Sequence, residues 1–329
     1  MAIFLPLLKK EGYLEQVHIT ICSVGSRKLT AEDDYGSQGW SLFAPHLTIY
    51  GLDADLEACK QANADLEARQ VNWTEKHFPL VLNNTEGEAT LYVTKHPACS
   101  SLYRPNEPFL ARFEHLFDIS SLDFTVKIET TTLDAFCHRE GIDNIDFLQT
   151  DVQGADLRVL QGAAQILERS ILAVQTEFIF SPLYVDQPLF SDLDLHIRKQ
   201  GFALFDIGQA CRCRAISPIH SQQRPGQLLW GNAIYLRDPL QPGCNPSFQT
   251  PDRLLKLACI ADLMNFVDYA LELLVYLTQQ YGDDPAYNFA DIVVDVLAQF
   301  PELVEQGIDK LPVFARIKDR LSDSRLQSI

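Results

Sequence analysis

Residues 145–177 read IDFLQTDVQGADLRVLQGAAQILERSILAVQTE. An apolar run leads to Asp151, a turn carries Gly154, apolar residues then recur at helical spacing, and a second apolar run leads to Glu177. This pattern predicts a strand, a helix and a strand. Two short strands joined by one helix are normally parallel neighbours with a right-handed crossover, so both carboxylates are expected at the same edge of a parallel sheet.

A ligand is expected at this edge of the sheet. Open α/β sheets bind ligands in the crevice outside the carboxyl ends of their strands, and an ionised carboxylate beside the sheet core is costly unless something pairs with it. The alternative for Asp151 is that it caps the following helix. The alternative for Glu177 is a position in solvent, although Phe178, Ile179 and Phe180 follow it. We predict that at least one of the two carboxylates is functional.

The same stretch resembles a known family. The run D-x-L-x-x-D-V-x-G-x-x-x-x-V-L-x-G-A, residues 146–163, is similar to the central motif of the FkbM-type S-adenosylmethionine-dependent methyltransferases. The similarity continues through residues 180–207 in a Leu-Tyr, Pro, Phe and Gly-Phe series. The resemblance implies a doubly wound, mostly parallel seven-stranded methyltransferase (Rossmann-like) sheet, whose last strand inserts antiparallel, and S-adenosylmethionine as the cofactor.

The chain departs from the family pattern at several positions. Gln153 stands where the family usually has an acidic residue, and Gln149 and Thr150 stand where a lysine is usual. After the first predicted strand, Ser23 replaces the usual acidic residue two positions before the glycine, and the second glycine is missing. These departures motivate an alternative function, a methyltransferase-like binding module that has lost catalysis.

Two further predicted strands lead to candidate cofactor contacts. Residues 17–24 alternate and end at Gly25 and Ser26, where a residue without a side chain lets the backbone approach a ligand closely. Residues 47–52 lead to Asp53, and the resemblance assigns this carboxylate to the hydroxyls of the cofactor ribose. Capping of the next helix is the alternative for Asp53. The fingerprint G-x-G-x-x-G is absent, which argues against a nicotinamide oxidoreductase.

The segment after these strands supplies candidate substrate contacts. Residues 79–82 and 89–94 are two short predicted strands around NNTEGE, a composition typical of a hairpin. Asn83 is a candidate for the cofactor adenine, or a turn residue only. Residues 95–108, KHPACSSLYRPNEP, are too rich in proline for a regular element. We predict a loop over the substrate pocket, with His96, Ser100 and Ser101 as contacts; a plain surface loop is the alternative.

Composition restricts the partners. The formal net charge of −17 over 329 residues would repel a phosphate backbone, so no nucleic acid is expected. The eight cysteines show no C-x-x-C spacing, and no metal site is predicted. No segment approaches the roughly 18 apolar residues of a membrane span, and the first lysines follow the short N-terminal apolar run. We predict a cytoplasmic protein that binds no membrane.

A composition shift at DPLQPG, residues 238–243, predicts a domain boundary. The predicted domains are a methyltransferase domain at 1–240 and a helical C-terminal extension at 241–329. Thr250 with Pro251 and Asp284 with Pro285 are expected to begin helices. Their aliphatic residues are expected to cover the sheet domain or a second subunit, the latter giving a homo-oligomer.

The predicted function is O-methylation of a hydroxyl on a sugar, polyketide or similar small-molecule acceptor. Orientation of the reactants alone can lower the activation barrier by about 7–11 kcal/mol, so an obvious catalytic base is not required. If a base exists, Asp151 or Glu177 is predicted to receive the proton of the acceptor hydroxyl, with His96 and His196 as less favoured candidates.

Overall fold

The computed structural model describes residues 2–29, 33–37, 39–113, 115–208, 210–213, 216–217, 219, 221–224 and 226–326. The chain forms two compact units. The sheet unit contains Thr20–Asp34 and Thr48–Arg237, and the helical unit contains Met1–Ile19, Tyr35–Leu47 and Asp238–Ile329.

The described strands follow one another in chain order: β1 (Ile19–Val24), β2 (Leu47–Asp53), β3 (Thr74–Pro79), β4 (Val81–Leu82), β5 (Gly87–Thr94), β6 (Leu122–Thr131), β7 (Phe147–Thr150), β8 (Ala173–Ile179), β9 (Phe202–Ile207), β10 (Cys211–Cys213) and β11 (Gln227–Arg237). The described helices are α1 (Leu5–Lys10), α2 (Leu56–Arg69), α3 (Glu107–Leu110), α4 (Leu116–Ser120), α5 (Leu133–Glu140), α6 (Asp156–Gln161), α7 (Ala164–Arg169), α8 (Phe190–Lys199), α9 (Pro251–Leu263), α10 (Val267–Tyr281), α11 (Ala290–Leu297), α12 (Pro301–Gln306), α13 (Pro312–Ile317) and α14 (Asp323–Leu326). Short turns of 3-10 helix lie between some of these elements.

The larger sheet has eight strands in the order β10-β11-β8-β7-β1-β2-β3, and β9 also pairs with β11. Strand β7 is parallel to β1 and to β8, and β2 is parallel to β3. Strand β11 is antiparallel to β8, β9 and β10. The predicted mostly parallel sheet with an antiparallel last strand is therefore confirmed. The short strand β10, which pairs with the same strand as β9, was not predicted.

The central strand, helix and strand are also present, but the helix is divided. Gly162 separates α6 from α7, and a side-chain carbon at this position would lie 2.3 Å from the backbone oxygen of Asn83. The apolar faces of both helices pack on the sheet, where Leu160, Leu167 and Leu148 are fully buried. The helical periodicity correctly located this layer, and the close approach of another backbone explains the break.

A second sheet has three strands in the order β4-β6-β5. The predicted hairpin between residues 79–82 and 89–94 is wrong, because β6 lies between these two strands. It pairs in parallel with β4 through Thr130 and Thr131, and antiparallel with β5 along almost its whole length. The NNTEGE turn thus joins two strands that share a neighbour from a later part of the chain.

In the helical unit, α9 and α10 bury long apolar stripes, as the C-terminal sequence predicted. Helix α9 begins at Pro251, whereas Asp284 caps only a 3-10 turn at Pro285–Tyr287 and α11 begins at Ala290. Residues 1–19 belong to this unit. The boundaries at 1–240 and 241–329 stay a prediction, since the compact units divide the N-terminal part of the chain differently.

Helix α1 is held in the helical unit by a buried carboxylate. Asp262 of α9 is completely buried and accepts hydrogen bonds from the N–H groups of Ile3, Phe4 and Leu5 at 2.9, 2.9 and 2.8 Å. These N–H groups belong to the start of α1 and would otherwise lack partners. The carboxylate therefore caps α1 from a distant part of the sequence. None of the helices that the structure describes is long and apolar enough to cross a membrane.

Candidate active site

The four residues that the sequence predicted at one edge lie at the ends of four neighbouring strands. Asp53 ends β2, Gly25 follows β1, Asp151 follows β7 and Glu177 lies in β8. The register of β7 against β8 ends at Thr150, so Asp151 and Glu177 are the next residues on their strands. The structure thus brings all four to the same edge of the larger sheet.

Backbone contacts lock the strand ends around Gly25. This residue has φ +81°, and a side-chain carbon here would lie 2.0 Å from the backbone oxygen of Asp151, so only glycine fits. The N–H groups of Gly25 and Ser26 donate to the Leu52 oxygen at 2.8 and 3.1 Å. The Asp151 N–H donates to the Val24 oxygen at 2.9 Å. The glycine is required by the packing of strand ends, whether or not a ligand is bound.

Asp53 is positioned to accept further hydrogen bonds. Its Oδ2 accepts from the Arg27 N–H at 3.1 Å and its Oδ1 from the Asp55 N–H at 2.8 Å. Burial raises the pKa of Asp53, while these N–H groups and the Arg27 guanidinium oppose the rise. Helix α2 is capped by Asp55, which accepts from the N–H groups of Glu57 and Ala58. Capping therefore does not account for Asp53.

Ser26 belongs to a buried network that the sequence did not reveal. Its Oγ lies 3.0 Å from His77 Nδ1, and His77 Nε2 lies 3.0 Å from Glu75 Oε1. Lys28 Nζ and Trp73 Nε1 donate to the same carboxylate at 2.7 and 2.8 Å. Burial opposes ionisation of Glu75, but the bonds from His77, Lys28 and Trp73 outweigh it and lower its pKa. The network fixes the loop after β1. Its only sequence signal is the spacing of Glu75 and His77 by two, which puts both on one face of β3.

On the other side of Gly25, one amide joins the two predicted carboxylates. Gln153 Nε2 donates to Asp151 Oδ1 at 2.8 Å and to Glu177 Oε2 at 3.3 Å. Its Oε1 accepts from the Tyr184 hydroxyl at 3.1 Å. Gln153 has φ +55°, a left-handed conformation that turns its side chain between the strand ends. The residue that departs from the family pattern is therefore the bridge of this site.

A third carboxylate, the buried Asp156, completes the acid cluster, which we define as Asp151, Asp156 and Glu177. It accepts from the N–H groups of Gly154 and Val152 at 3.2 and 3.4 Å. Thus Asp156, and not Asp151, accepts the backbone N–H groups of the turn before α6. Sequence reasoning missed this residue, although an acidic residue in the first turn of a helix is a recognisable signal.

Crowding in the acid cluster favours the protonated forms. Burial, with the charge of Asp151, raises the pKa of Asp156 to about 7. Burial, followed by the charges of Asp151 and Asp156, raises the pKa of Glu177 well above its ordinary value, while the Gln153 bond opposes the rise. Burial also raises the pKa of Asp151, although it is only half-buried. Three carboxyls with raised pKa values at the edge of a sheet are typical of a functional site.

The segment predicted to cover the pocket contacts this cluster. The buried Ser101 hydroxyl donates to the Gln153 backbone oxygen at 2.7 Å. The Tyr184 hydroxyl lies 2.9 Å from the Cys99 backbone oxygen as well as near Gln153. Residues 95–108 are therefore held against the turn that carries the bridging amide.

The other two predicted contacts in this segment face elsewhere. Ser100 Oγ accepts from the Thr94 N–H at 3.2 Å, which closes the segment on itself, and the His96 side chain is exposed. The structure brings Ser101 to the acid cluster and shows no such contact for Ser100 or His96 among the described residues.

Asn83 and His196 are the remaining candidates from the sequence. Asn83 is buried; its side chain lies 3.5 Å from Thr130 Oγ1 and accepts from the Asn84 N–H at 2.9 Å. His196 lies on α8, where burial lowers its pKa and its Nε2 has no hydrogen-bond partner in the described part of the chain. An adenine contact for Asn83 stays a prediction.

A small pocket lies beside the acid cluster. Asp156 and Glu177 supply its polar wall, and Phe178, Ile179 and Leu193 are among its apolar residues. Pockets for whole ligands usually measure about 300–1,000 Å³, and this pocket is far too small to hold one. The described residues include no cluster of three or more His, Cys, Asp or Glu side chains able to hold a metal ion.

Comparison of the sequence with known families and proteins gives two matches. A family model described as methyltransferase FkbM domain matches residues 44–204. The chain is 36% identical over 74 residues to the 2-O-methyltransferase NoeI of Sinorhizobium fredii (strain NBRC 101917 / NGR234). This match covers 22% of the present chain and 30% of NoeI, so the similarity spans less than a third of that relative.

Comparison with solved structures gives distant likenesses. The magnesium protoporphyrin IX methyltransferase (ChlM) of Synechocystis PCC 6803, solved with bound SAM, matches 71% of this chain and 76% of its own at 11% identity and a TM-score of 0.34. A methyltransferase FkbM of Methylobacillus flagellatus KT matches 67% of this chain and 43% of its own, at 12% identity and a TM-score of 0.36.

Proposed function

Residues 44–204 carry a methyltransferase FkbM domain, and from this premise we propose that the protein is an S-adenosylmethionine-dependent O-methyltransferase. The acceptor that we propose is a hydroxyl on a sugar, polyketide or similar small metabolite. The relative NoeI, named as a 2-O-methyltransferase, supports oxygen as the atom that is methylated. The observation that carries the proposal is the placement of Gly25, Asp53, Asp151 and Glu177 at the ends of four adjacent strands.

The residues at the β1 and β2 ends fit an adenosyl group. Asp53 is half-buried and each of its oxygens accepts one backbone N–H, which leaves lone pairs for two vicinal hydroxyls. Gly25 presents bare backbone one strand away, and the network of Ser26, His77 and Glu75 holds that backbone in place. We assign Gly25, Ser26 and Asp53 to cofactor binding.

The acid cluster fits the charge of the same cofactor. S-adenosylmethionine, when bound, supplies a methyl group on a positively charged sulfur. Carboxylates near a cation are stabilised in their ionised form, which would offset the burial that raises the pKa values of Asp151 and Glu177. The cluster would thereby recognise the cationic cofactor in preference to its neutral product.

An acceptor hydroxyl must lose its proton as the new carbon–oxygen bond forms. A carboxylate can take that proton only when it is ionised, and a raised pKa makes it a stronger base. We assign this role to Asp151, which is half-buried and faces the strand ends, with the buried Glu177 as the second candidate. Gln153 fixes both carboxylates through one amide.

The alternative function, a binding module without catalysis, was motivated by Ser23 and Gln153. Both residues make specific contacts: Ser23 Oγ donates to Gln149 Oε1 at 2.6 Å, and Gln153 bridges the carboxylates. The residues that depart from the family pattern thus form hydrogen bonds with one another or with the acid cluster. These contacts favour a catalytic site with an altered set of residues over a site that has lost catalysis.

Calorimetric titration with S-adenosylhomocysteine tests the proposal. The wild-type chain is expected to bind, and Asp53→Ala is expected to weaken binding by about 10- to 100-fold, the value of one or two charged hydrogen bonds. Asp55→Ala is the matched control, because it removes the cap of α2 and leaves the Asp53 carboxylate. Absence of binding by the wild type would overturn the cofactor assignment. Binding without methyl transfer to any of a panel of hydroxyl acceptors would support the binding module.

A further inference from the structure

Strands β5 and β6 form an antiparallel ribbon with two unlike faces. Directly opposite residues share a face, and one face carries three successive apolar pairs: Val93 with Phe124, Leu91 with Val126, and Ala89 with Ile128. The other face contains polar pairs, among them Tyr92 with Thr125 and Thr90 with Lys127. Phe124 and Val126 are 53% and 39% exposed. The part of the apolar face that Phe124 and Val126 form is therefore uncovered within the described chain.

One edge of the same ribbon is open. Strand β4 pairs only with Thr130 and Thr131 of β6, and within the described chain no strand continues alongside residues 123–129. All of these residues except Ile128 are exposed. A long exposed edge with apolar side chains is a template for pairing with another chain.

The backbone pattern shows which groups face this edge. Tyr92 exchanges both of its backbone hydrogen bonds with Ser101, at 2.9 and 3.1 Å, on the side of β5 away from β6. Thr125 lies opposite Tyr92, so this is a pair without mutual hydrogen bonds, and the N–H and C=O of Thr125 point to the open edge. Because the direction of these groups alternates along a strand, the N–H and C=O of Lys127, two residues further on, also point to the open edge. The Thr131 oxygen accepts from the Asn83 N–H on that side, which agrees with this assignment.

We propose that β6 pairs antiparallel with β6 of a second copy of this chain, about a two-fold axis at Thr125. In the proposed pairing, a residue whose N–H and C=O point to the open edge must lie opposite another such residue of the second copy. These residues alternate along β6, so the two-fold axis passes through a residue and not between two residues. An axis at Thr125 sets Asp123 against Lys127 twice, and Phe124 against Val126 twice. An axis at Val126 would set Asp123 against Glu129, and an axis at Phe124 would set Lys127 against Ser121, so only the axis at Thr125 sets Lys127 against an acidic residue of the second copy.

This register joins two ribbons into a four-stranded sheet with one continuous apolar face. The exposed N–H and C=O groups of Thr125 gain partners, and Phe124 gains an apolar neighbour. Charge complementarity selects this register, and the register also keeps apolar side chains opposite one another on the apolar face. The proposed dimer uses the sheet unit, in contrast to a dimer through the C-terminal helices.

Sedimentation equilibrium of the full chain tests the proposal, and a dimer is expected. Thr125→Pro removes an N–H that faces the open edge and spares the bonds between β5 and β6, so the ribbon is retained while dimerisation is lost. Thr90→Pro is the matched control. Thr90 lies two residues from Tyr92, so its N–H faces the other edge of the ribbon, and this variant is expected to remain dimeric. Circular dichroism confirms that both variants are folded.

A charge exchange tests the register independently. Lys127→Asp sets like charges against each other at both ends of the pairing and is expected to weaken dimerisation by about tenfold. It also removes the ion pair of Lys127 with Glu88 of the same chain, a loss that the double variant shares. The double variant Asp123→Lys/Lys127→Asp restores opposite charges and is expected to recover the wild-type dimer. A monomeric wild type, or a dimer that is unaffected by Thr125→Pro, would overturn the proposal. A double variant that remains as weak as Lys127→Asp would overturn the register.

Discussion

Buried carboxylates occur in both units of the chain, but they differ in the number of hydrogen-bond donors that each one receives. Asp262 of the helical unit receives three backbone N–H groups, and no other carboxylate of the described chain raises its pKa. The acid cluster of the sheet unit shares one glutamine amide and a few N–H groups among three carboxyls. Burial raises the pKa of Asp262 as well, but its N–H partners oppose the rise, whereas the members of the cluster add to one another.

The comparison separates two uses of a buried charge. A carboxylate that is surrounded by backbone donors stabilises one conformation, because removing it leaves several N–H groups unpaired. Carboxyls that face each other are poorly satisfied in the folded protein and are ready to exchange protons or to meet a cation. We therefore expect Asp262 substitutions to change stability and acid-cluster substitutions to change activity.

The largest effect is expected from Asp151→Asn. If Asp151 receives the acceptor proton, methyl transfer should fall by about 10²- to 10⁴-fold, with S-adenosylhomocysteine binding retained. Glu177→Gln serves as the control and should retain more activity. In the wild type, activity should rise with pH as the base ionises, with an apparent pKa above 3.8, because burial raises the pKa of Asp151. An equal loss of activity in both variants would show that Asp151 is not the only base that receives the acceptor proton.

The next effect is expected from Asp262→Ala. Three N–H groups lose their acceptor, and unfolding should become easier by about 2–4 kcal/mol. Asp262→Asn keeps one oxygen acceptor and should lose less. Chemical denaturation measures both, and calorimetry should show unchanged S-adenosylhomocysteine affinity. A loss of S-adenosylhomocysteine affinity in a folded Asp262 variant would contradict the prediction that this carboxylate affects stability only.

An effect of comparable size, but dependent on pH, is expected from Asp156→Asn. The folded pKa of Asp156, about 7, lies above its unfolded value, so its contribution to stability is full below about pH 4 and is lost as the pH rises through 7. The asparagine variant has no such loss. Its stability relative to wild type should therefore increase between pH 4 and 7, on the order of 1.4 kcal/mol for each unit of pKa shift. Thermal unfolding across this range measures the difference, and a constant difference would contradict it.

The smallest effect is expected from His77→Phe, which removes the partner of Ser26 without touching the acid cluster. The loop after β1 should loosen and S-adenosylhomocysteine binding should weaken by about tenfold, the value of one buried hydrogen bond. His138→Phe on α5 is a control histidine. Unchanged affinity would show that the Ser26 network is structural only.

The sequence was sufficient where a local pattern determines the structure. The two apolar runs and the helical spacing of residues 145–177 located β7, α6, α7 and β8, and topology then placed Asp151 and Glu177 at one edge. Asp53 could be found because it directly follows an apolar strand. The sequence alone does not separate capping of α2 from a role for Asp53, whereas the structure assigns the cap to Asp55.

The remaining features depend on contacts between distant segments. Strand β6 enters between β4 and β5 from about forty residues away, so the NNTEGE turn was mistaken for a hairpin. The assignment of residues 1–19 to the helical unit follows from Asp262, which is more than 250 positions from its partners. His77 and Ser26 are 51 positions apart, and neither has a sequence signature that names the other.

The left-handed turn at Gln153 has one further consequence. An amide nitrogen has two hydrogens, and here each points to a different carboxyl, while the amide oxygen faces a tyrosine hydroxyl. The pair of side-chain proton resonances of this residue should therefore shift separately as Asp151 and Glu177 titrate. A nitrogen-15 label on a single glutamine would read the order in which the two neighbours lose their protons.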